Sequence, residues 1–387
     1  MFIDMTLRRN EGLIKAGTKL HQEGTIAANT YVIDLDSLEY NVKSLSETAS
    51  EHSLSLYYMT KQIGRSGFIG DIIARNGIEK AVAVDIDEAI QLKSNNCQIG
   101  NFGHIVQPSR SQWKYVLTDL KPEVITLFSY ERAEQLSRAA ESLGIIQDVI
   151  LRVIRTTDSI YPGQFGGFLL HELDPDLDKL KSLKGITVVG ITSFPVLQMN
   201  DTNDDFTFTS NLETLKLARG ILENNNITVK HINAPSATSC YTIPMLKEHG
   251  VTHGEPGHAI TGTTPLHAYN PYLKEVPSII YVSEISHMDD QSAYTIAGGF
   301  YNRSNMEYAL FGQNGSQLTN QLTQVGCNSP TNIDYYGSLK KQAQMKVGDT
   351  AIYAFRTQIF VTRAHIAYVR GVNTNNPKLV YLQRRGM

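Results

Sequence analysis

Short apolar runs recur between residues 56 and 254 of this chain, and segments with apolar residues at helical spacing separate them. Runs of three to six residues are too short for typical helices and, where they are apolar, are typical of strands buried on both faces of a parallel sheet. The pattern predicts eight strands, at residues 56–59, 81–84, 104–106, 124–128, 149–154, 187–191, 229–232 and 250–253.

The segments between these runs predict helices. One begins after Ser129, a favourable N-cap residue, and places Ala133, Leu136 and Ala140 on one face. Eight strands that alternate with helices favour a parallel, TIM-type (β/α)8 barrel over an open sheet, which more often has five to seven strands.

The pattern changes after residue 268. Segments rich in β-branched and aromatic residues follow one another without long helices between them, which predicts an all-β domain. We therefore expect a barrel domain at 1–268, including an amino-terminal lead-in with a strand at 31–35, and a β domain at 269–387. The pattern leaves open whether the amino-terminal segment pairs with the β domain. Strands are predicted at 278–285, 293–300, 307–311, 350–355, 358–363, 365–369 and 378–383.

Composition narrows the functional classes. The 387 residues are 41% hydrophobic, and 35 basic against 38 acidic residues give a net charge of -3 without long runs of one sign. This balance argues against nucleic acid or an anionic membrane as the main partner. We see no signal peptide or membrane helix, and the three cysteines form no Cys-x-x-Cys pair, so we expect a cytoplasmic protein.

Polar residues follow the predicted strands at their carboxyl ends, which form the active face of a parallel barrel. Lys61 stands at the end of the first strand, although a single lysine in such a place is more often an ordinary surface residue. The candidate site residues are Lys61, Arg65, Arg152, Ser193, Asn233, Ser236, Thr238, Glu255, Gly257 and His258.

The turn at 233–239 offers hydroxyls and backbone N–H groups, and barrels commonly bind phosphate after their last two strands. The same turn is equally typical of a simple helix cap. A lysine, a phosphate cradle and Glu255 on one rim together suggest pyridoxal phosphate, with Lys61 as the Schiff-base lysine and Glu255 beside the pyridine nitrogen.

A polar loop at 198–205 follows the sixth predicted strand and is long enough to be a lid. It carries Asp201, Asp204 and Asp205. The spacing lacks the glycine and the final glutamate of an EF-hand loop, so we expect no metal site there.

Three features resemble the fold-type-III pyridoxal-phosphate enzymes, such as alanine racemase, ornithine and diaminopimelate decarboxylases and D-threonine aldolase. They are Lys61 after an apolar strand, Ser236 in a small-residue turn, and Glu255-Pro-Gly-His258 followed by Ala259-Ile-Thr-Gly262. Within that group, four segments look close to the YhfX-type branch, namely Thr60-Lys61-Gln62, Asn233-Ala-Pro-Ser-Ala-Thr-Ser-Cys240, Glu255-Pro-Gly-His258 and Phe355-Arg-Thr-Gln-Ile-Phe-Val-Thr-Arg363. The resemblance implies the cofactor, a barrel plus β domain, an amino-acid substrate, and a homodimer in which the partner's β domain completes the site.

The chain departs from both racemases and decarboxylases. Glu255 stands where alanine racemases carry an arginine, and in this it resembles the decarboxylases, which carry a glutamate there. Ser193-Phe194-Pro195 lacks the stacking histidine of the decarboxylases, and Ser329-Pro330-Thr331-Asn332 lacks their catalytic thiol. We read Cys327 as structural or incidental.

The preferred reading is an amino-acid racemase or epimerase, with Lys61 as the base on one face of the substrate and Tyr301 on the other. Tyr301 fits a tyrosine packed on a β surface equally well. Arg303 and Arg356 are candidates for the substrate carboxylate, although each is also typical of a surface arginine. The alternatives are a lyase (decarboxylase or aldolase), a non-catalytic cofactor-binding protein, and an unrelated barrel enzyme with Glu255 and His258 as acid and base.

Overall fold

The computed structural model describes the whole chain except residues 302, 303, 305, 327–330, 375, 386 and 387. The chain divides into two compact units. We call them the barrel unit, formed by Val42–Thr60 and Arg65–Gly257, and the sheet unit, formed by Met1–Asn41, Lys61–Gly64 and His258–Met387. The predicted domain boundary at residue 268 stays a prediction.

The barrel unit contains a closed parallel barrel, as predicted. Each strand pairs in parallel with the next one along the chain, and the eighth pairs with the first to close the barrel. The strands are Ser55–Met59, Lys80–Ala83, Gln98–Phe102, Val124–Leu127, Gln147–Ile154, Ile186–Thr192, His231–Asn233 and His253–Gly254. A short strand, Phe168–Leu169, pairs with the fifth.

Helices alternate with these strands. The predicted cap is confirmed, because the Ser129 hydroxyl accepts the Arg132 N–H and begins the helix Tyr130–Glu141. The helices are Leu35–Glu51, Gly67–Arg75, Ile86–Lys93, Trp113–Tyr115, which continues into the π-helical turn Val116–Leu120, Tyr130–Glu141, Leu173–Lys181, Asn211–Asn224 and Thr242–Glu248.

The third barrel strand is Gln98–Phe102, so the prediction of a strand at 104–106 is wrong. Gly100 and Asn101 made the true strand look like a turn, since both residue types are depleted in strands. The structure needs glycine at position 100, because a Cβ atom there would lie 2.1 Å from the ring of Tyr57. His104 therefore follows the carboxyl end of the third strand instead of starting it.

The predicted lid at 198–205 is the tip of a small hairpin. Leu197–Met199 pairs antiparallel with Phe206–Phe208. The side chain of Asn200 organises the tip, because its carbonyl oxygen accepts the N–H groups of Asp204 and Asp205. Whether this hairpin moves stays a prediction.

The sheet unit contains a nine-stranded sheet, which confirms the predicted all-β character of the carboxyl-terminal part. Seven strands lie side by side in the order Leu322–Gln324, Tyr308–Gly312, Thr350–Tyr353, Ile279–Met288, Thr30–Asp34, His365–Arg370 and Lys378–Gln383. Ser292–Ile296 pairs with Ile279–Met288 and with Tyr336–Lys340.

The strand Thr30–Asp34 comes from the amino-terminal end of the chain, yet it lies in the middle of this sheet. It pairs antiparallel with Ile279–Met288 and in parallel with His365–Arg370. All five of its residues are buried. The sheet therefore depends on residues that are distant from one another in sequence.

Among the described residues, the α-helices that lie entirely in the sheet unit are Phe2–Arg9, Glu11–Gln22 and Gly315–Leu318. Leu13, Ile14 and Leu20 of the second helix lie in one buried cluster with Ile280 and Ile352 of the sheet. This burial of apolar surface holds the helix on the sheet. Within the part of the chain that the structure describes, no helix is both long and apolar enough to cross a membrane.

The predicted strand at 358–363 is wrong, because this segment forms the 3-10 turn Ile359–Val361. The guanidinium of Arg385 donates to the carbonyl oxygens of Ile359 and Phe360. The Thr362 hydroxyl also donates to Ile359 O. These bonds hold the carbonyl groups in a turn, which the β-branched and aromatic composition of the segment did not indicate.

Candidate active site

Glu255 follows the eighth barrel strand, and its side chain is completely buried. Its Oε1 atom accepts hydrogen bonds of 2.8 Å from the side-chain amides of Asn101 and Asn233. Asn101 is oriented in turn by the Thr126 hydroxyl, which donates to Asn101 Oδ1 at 2.8 Å. The carboxylate is therefore held in one position by donors from two other strands, and a third strand orients one of these donors.

The other oxygen of Glu255 faces a histidine. His104 Nε2 lies 3.8 Å from Glu255 Oε2, and both side chains are buried. The edge of the Phe194 ring packs against the imidazole with centroids 5.5 Å apart, and Tyr161 packs against Phe194 at 5.4 Å. The Phe194 ring thus packs on the imidazole and is itself packed by Tyr161.

Arg152 lies on the fifth barrel strand and is 1% exposed. Its Nη2 atom donates to the Gln164 carbonyl oxygen at 2.6 Å, and its guanidinium lies over the ring of Phe128. Burial lowers the pKa of Arg152 to about 10. Among the described residues, nothing accepts a hydrogen bond from its Nε or Nη1 atom.

Unsatisfied polar atoms continue on the next two strands. Arg152 is the register partner of Thr192, and Thr192 is the register partner of Asn233. The hydroxyl of Thr192 and the Oδ1 atom of Asn233 are also buried without a hydrogen-bond partner in the described part of the chain. Since buried polar groups are costly unless they are paired, three neighbouring strand ends together are suited to a polar ligand.

The small-residue turn after the seventh strand has its hydroxyl oxygens fixed. Ser236 Oγ accepts the N–H groups of Val196 and Leu197 at 2.6 and 2.9 Å. Thr238 Oγ1 accepts the Glu255 N–H at 3.0 Å. Both hydroxyl groups are oriented through their oxygen atoms, which leaves their protons for donation to an anion.

The backbone of this turn is strained at Ala237, which has φ of 52° although it is not glycine. At the far end of the turn, the Ser239 and Thr242 hydroxyls bond to each other beside the start of the helix Thr242–Glu248. The N-cap residue of this helix is Tyr241, which makes no side-chain capping bond. Ser236 and Thr238 bond to Val196, Leu197 and Glu255 instead of capping the helix.

Two other predicted residues of the barrel unit already have partners. Arg65 forms an ion pair with Asp85, which also accepts the Glu88 N–H at the start of a helix. Ser193 is buried, and its hydroxyl oxygen accepts from Asn211 Nδ2 at 3.1 Å. Gly257 lies directly before the 3-10 turn His258–Thr261.

Lys61 belongs to the sheet unit and begins the 3-10 turn Lys61–Ile63. The carbonyl oxygen of the next residue, Gln62, accepts from the Thr357 hydroxyl at 2.9 Å in a buried hydrogen bond. This bond joins the lysine turn to the segment that carries Arg356.

His258 also belongs to the sheet unit and lies near Lys61 and Arg356. Its Nε2 atom is 3.2 Å from the side-chain amide of Gln358, and its Nδ1 atom is 3.3 Å from the Thr263 hydroxyl. Burial first, and then the positive charges of Arg356 and Lys61, hold the pKa of His258 well below its ordinary value. The structure therefore brings together a lysine, an arginine and a neutral imidazole.

The Tyr301 hydroxyl donates to the carbonyl oxygen of Arg356 in its own chain. The loop before it is anchored by Tyr31, whose buried hydroxyl donates to Gly299 O. The Tyr301 ring packs near Phe355 with centroids 6.4 Å apart. Arg303, Cys327, Ser329 and Pro330 lie outside the described residues.

Two family models match the chain. Residues 33–265 match the alanine racemase N-terminal domain, and residues 280–379 match the YhfX-like C-terminal domain. The chain belongs to the alanine racemase N-terminal domain family, in its YhfX-like branch. A curated relative, "Uncharacterized protein YhfX" of Escherichia coli (strain K12), is 36% identical over 381 residues, which are 98% of this chain and 97% of the relative.

Solved structures share the fold at low sequence identity. An alanine racemase of Clostridium difficile 630, in complex with cycloserine, superposes with a TM-score of 0.66 at 16% identity and covers 92% of this chain and 98% of its own. The D-threo-3-hydroxyaspartate dehydratase from Delftia sp. HT23 gives a TM-score of 0.68 at 14% identity, covering 94% and 99%. One fold thus carries two different reactions.

The sequence pattern missed two residues of the site, Asn101 and His104. Neither was considered as a residue after a strand end, because the third strand was predicted to start six residues too late. Asn101 then preceded the predicted strand, and His104 was its first residue. The sequence signal that could have found them is Gly103, which has φ of 76° and marks the true end of the strand.

Proposed function

We propose that this protein is a pyridoxal-phosphate enzyme that acts at the α-carbon of an amino acid, with Lys61 as the residue that binds the cofactor aldehyde. Membership of the alanine racemase family supports the cofactor, because proteins of that family use pyridoxal phosphate. The observation that carries the proposal is the buried Glu255 carboxylate, fixed by Asn101 and Asn233 at the mouth of the barrel.

The residues present fit this cofactor. Glu255 is an acceptor suited to a protonated pyridine nitrogen, and Arg152 offers two buried N–H-bearing nitrogens to an anionic oxygen. The hydroxyl groups of Ser236 and Thr238 are suited to donate to the phosphate. The backbone N–H groups of Gly257 and His258 are further candidate donors. Asn233, Ser193 and Arg65 complete the proposed cofactor contacts, although Arg65 is compensated by Asp85.

The bound cofactor supplies an electron-withdrawing ring that makes the α-proton of an amino acid acidic. The protein then has to move that proton. A racemase needs a base on each face of the α-carbon, and we assign Lys61 to one face and Tyr301, from a second copy of the chain, to the other. Arg356 and Arg303 are the proposed partners of the substrate carboxylate.

A lyase is the second candidate, since one observation favours it. A carboxylate at Glu255 would favour a protonated pyridine nitrogen, which would suit bond cleavage at the α-carbon other than proton loss. A dehydratase among the structural neighbours supports this candidate. The two candidates share Lys61 and differ in the need for Tyr301.

A reconstitution experiment tests the cofactor. The purified full chain, incubated with pyridoxal phosphate and desalted, should keep a yellow absorption band, and Lys61→Ala should lose it. Lys216→Ala, at an exposed helical position, is the matched control and should stay yellow. A wild-type protein that stays colourless after incubation would rule out the proposal.

Isotope exchange separates the reactions. The loaded enzyme is incubated with a panel of L- and D-amino acids in deuterated water. Deuterium at the α-carbon and appearance of the opposite enantiomer identify a racemase, whereas release of carbon dioxide, an aldehyde or ammonia identifies a lyase. A panel without any turnover, but with the cofactor bound, would support a non-catalytic cofactor-binding protein.

We also propose a homodimer, because the resemblance to fold-type-III enzymes implies one and the racemase reading needs a tyrosine from the partner subunit on the far side of the substrate. In the single chain, the Tyr301 hydroxyl donates to the carbonyl oxygen of Arg356. Sedimentation of the loaded protein gives the oligomeric state. Mixing inactive Lys61→Ala with inactive Tyr301→Phe chains should restore part of the activity if the site is shared between subunits. A cytoplasmic location, with no nucleic-acid or membrane partner and no metal, stays part of the proposal.

A further inference from the structure

Three buried tyrosines form a row across the middle of the large sheet. Tyr31, on the strand Thr30–Asp34, is the register partner of Tyr281, and Tyr281 is the register partner of Tyr353. All three side chains are fully buried, and the ring centroids of neighbours lie 5.0 and 5.8 Å apart. A buried phenol is costly unless its hydroxyl has a hydrogen-bond partner, so each hydroxyl group holds a particular part of the unit in place.

The hydroxyl group of Tyr31 reaches the loop that carries Tyr301. It donates to the carbonyl oxygen of Gly299, two residues before Tyr301. Burial raises the pKa of Tyr31 well above its ordinary value, so this hydroxyl keeps its proton and stays a donor. The bond joins residues that are 268 positions apart in the sequence.

The backbone of this loop lies close to the sheet at two consecutive glycines. Gly298 has φ of 134°, and a Cβ atom there would lie 2.5 Å from Asn29 Nδ2. A Cβ atom at Gly299 would lie 2.2 Å from the ring of Tyr281. Only glycine allows so close an approach, so the tyrosine row and Asn29 together determine where this backbone lies.

The ring of Phe355 connects Tyr31 with Tyr301 a second time. Its centroid lies 6.1 Å from that of Tyr31 and 6.4 Å from that of Tyr301. The Tyr301 hydroxyl donates to the carbonyl oxygen of Arg356, the residue that follows Phe355. Tyr31 therefore supports Tyr301 in two ways, through the carbonyl group of Gly299 and through the Phe355 ring.

We propose that Tyr31 is the positioning residue of Tyr301, and that its hydrogen bond to Gly299 holds the Tyr301 phenol in the place that proton transfer requires. The inference rests on the proposed function for this catalytic consequence. A misplacement of about 1 Å in a reacting group can cost about 100-fold in rate. The hydrogen bond itself lies within this chain, so its effect on the loop is measurable without the cofactor.

The first experiment measures the loop in the cofactor-free full chain. Tyr31→Phe keeps the buried ring and removes only the hydroxyl group. Hydrogen exchange followed by mass spectrometry should show about three- to tenfold faster exchange of the amides at 298–301, the scale of one buried hydrogen bond. Equal exchange rates in Tyr31→Phe and the wild type would overturn the inference.

Tyr353→Phe is the matched control. Tyr353 lies in the same row and is equally buried, but its hydroxyl group lies 2.8 Å from the Thr295 hydroxyl instead of bonding to the loop. The control should lower the urea midpoint about as much as Tyr31→Phe and leave exchange at 298–301 at the wild-type rate. Equal acceleration in both variants would mean a general loss of stability and would also overturn the inference.

The second experiment uses the loaded protein with each enantiomer of a substrate in deuterated water. In the proposed racemase, one enantiomer loses its α-proton to Lys61 and the other loses it to Tyr301. Tyr31→Phe should slow exchange of the second enantiomer about 100-fold and leave KM and exchange of the first unchanged. A role in folding alone would slow both to the same extent, which would contradict the inference.

Tyr301→Phe identifies the enantiomer that depends on Tyr301. Because Tyr31 acts through Tyr301 in this proposal, Tyr31→Phe should cause no further loss of exchange in the Tyr301→Phe background. A further loss of similar size there would mean that Tyr31 acts by another route, and the inference would be wrong.

The inference and the proposed function fail separately. A wild-type protein that does not bind pyridoxal phosphate contradicts the proposed function, while exchange at 298–301 still decides whether Tyr31 holds the loop. A loaded racemase in which Tyr31→Phe exchanges both enantiomers at the wild-type rates contradicts the inference and leaves the proposed function intact.

Discussion

Glu255 is the residue on which the chemistry of the barrel depends. Its carboxylate is buried and accepts hydrogen bonds from two asparagine amides, and the imidazole of His104 lies 3.8 Å away. Such a group is costly unless each partner is present, since the low-dielectric interior strengthens both the attraction and the penalty.

Replacement of Asn101 by alanine should lower the free energy of unfolding by about 1.5–3 kcal/mol, because the carboxylate loses a charge-assisted hydrogen bond and Thr126 loses its acceptor. Urea denaturation of the cofactor-free protein measures this loss. In the Glu255→Gln background the same replacement should cost less, because no charge remains to be stabilised. Equal costs in the two backgrounds would contradict this account of the carboxylate.

The amino-terminal ends of the barrel strands carry a buried pair of histidines. His231 and His253, at the start of the seventh and eighth strands, stack with ring centroids 4.1 Å apart, and Tyr57 stacks on His253. Burial first, then the charges of His231 and Lys80, lower the pKa of His253 to about 3. Burial also lowers the pKa of His231.

Acid should therefore destabilise the fold. A histidine with a lowered pKa binds no proton in the native state, while the unfolded chain takes one up below its ordinary pKa of 6.5. Stability is then fully present above about pH 6.5 and falls as the pH drops toward 3. Urea midpoints at several pH values should show a shallower fall for His253→Phe, which keeps an aromatic stack, and an unchanged fall would contradict the assignment.

Strands and turns differed in how well the sequence predicted them. Seven barrel strands were predicted within a few residues, most of them because they are compact apolar runs. The eighth, His253–Gly254, is short and lacks such a run. The third was not predicted this closely, since Gly100 and Asn101 serve the packing of Tyr57 and the binding of Glu255 and leave no apolar pattern. The segment 358–363 failed for the opposite reason, because its apolar pattern is real while Arg385 holds it in a turn.

Candidate site residues were predicted as the polar residues that follow each strand, so the prediction depended on where each strand was predicted to end. Lys61, Arg152 and Glu255 were predicted on that ground, and His104 was lost with the third strand. The Tyr301–Arg356 hydrogen bond connects residues that are 55 positions apart, which no local pattern predicts. The roles of these residues stay predictions until they are measured.

Glycine substitution tests the strand register. In Gly190→Ala, the new Cβ atom would lie 2.0 Å from the backbone oxygen of His231, the register partner in the seventh strand. Because backbone has to shift, we expect a loss of about 1–3 kcal/mol or more in the free energy of unfolding. Gly220→Ala, in the helix Asn211–Asn224 with open space around it, should instead stabilise by up to about 1 kcal/mol.

Chemical denaturation of the two variants against the wild type gives both numbers. A Gly190→Ala protein as stable as the wild type would mean that the sixth and seventh strands are not paired in this register.

The sheet unit as a whole is assembled from both ends of the chain. Thr30–Asp34 separates Ile279–Met288 from His365–Arg370, so without it the last two strands of the sheet lose their connection to the others. The division of the chain into units is therefore not a division of the sequence at one point, which a linear reading of composition does not reveal.

A fragment of residues 258–387 should not fold by itself, because its sheet lacks the central strand and the helices of residues 1–41 that cover it. Near-ultraviolet circular dichroism and urea titration should show no cooperative transition. Fusion of residues 1–41 to this fragment through a flexible linker should restore one. A cooperative transition in the short fragment would contradict the sheet order.

The central claim is that Lys61 binds the aldehyde of pyridoxal phosphate, and covalent trapping tests it most directly. The loaded wild-type protein is reduced with borohydride, digested, and mapped by peptide mass spectrometry. The account predicts the reduced cofactor on the peptide that contains Lys61, and none in Lys61→Ala. Cofactor found on another lysine, or on none, would contradict it.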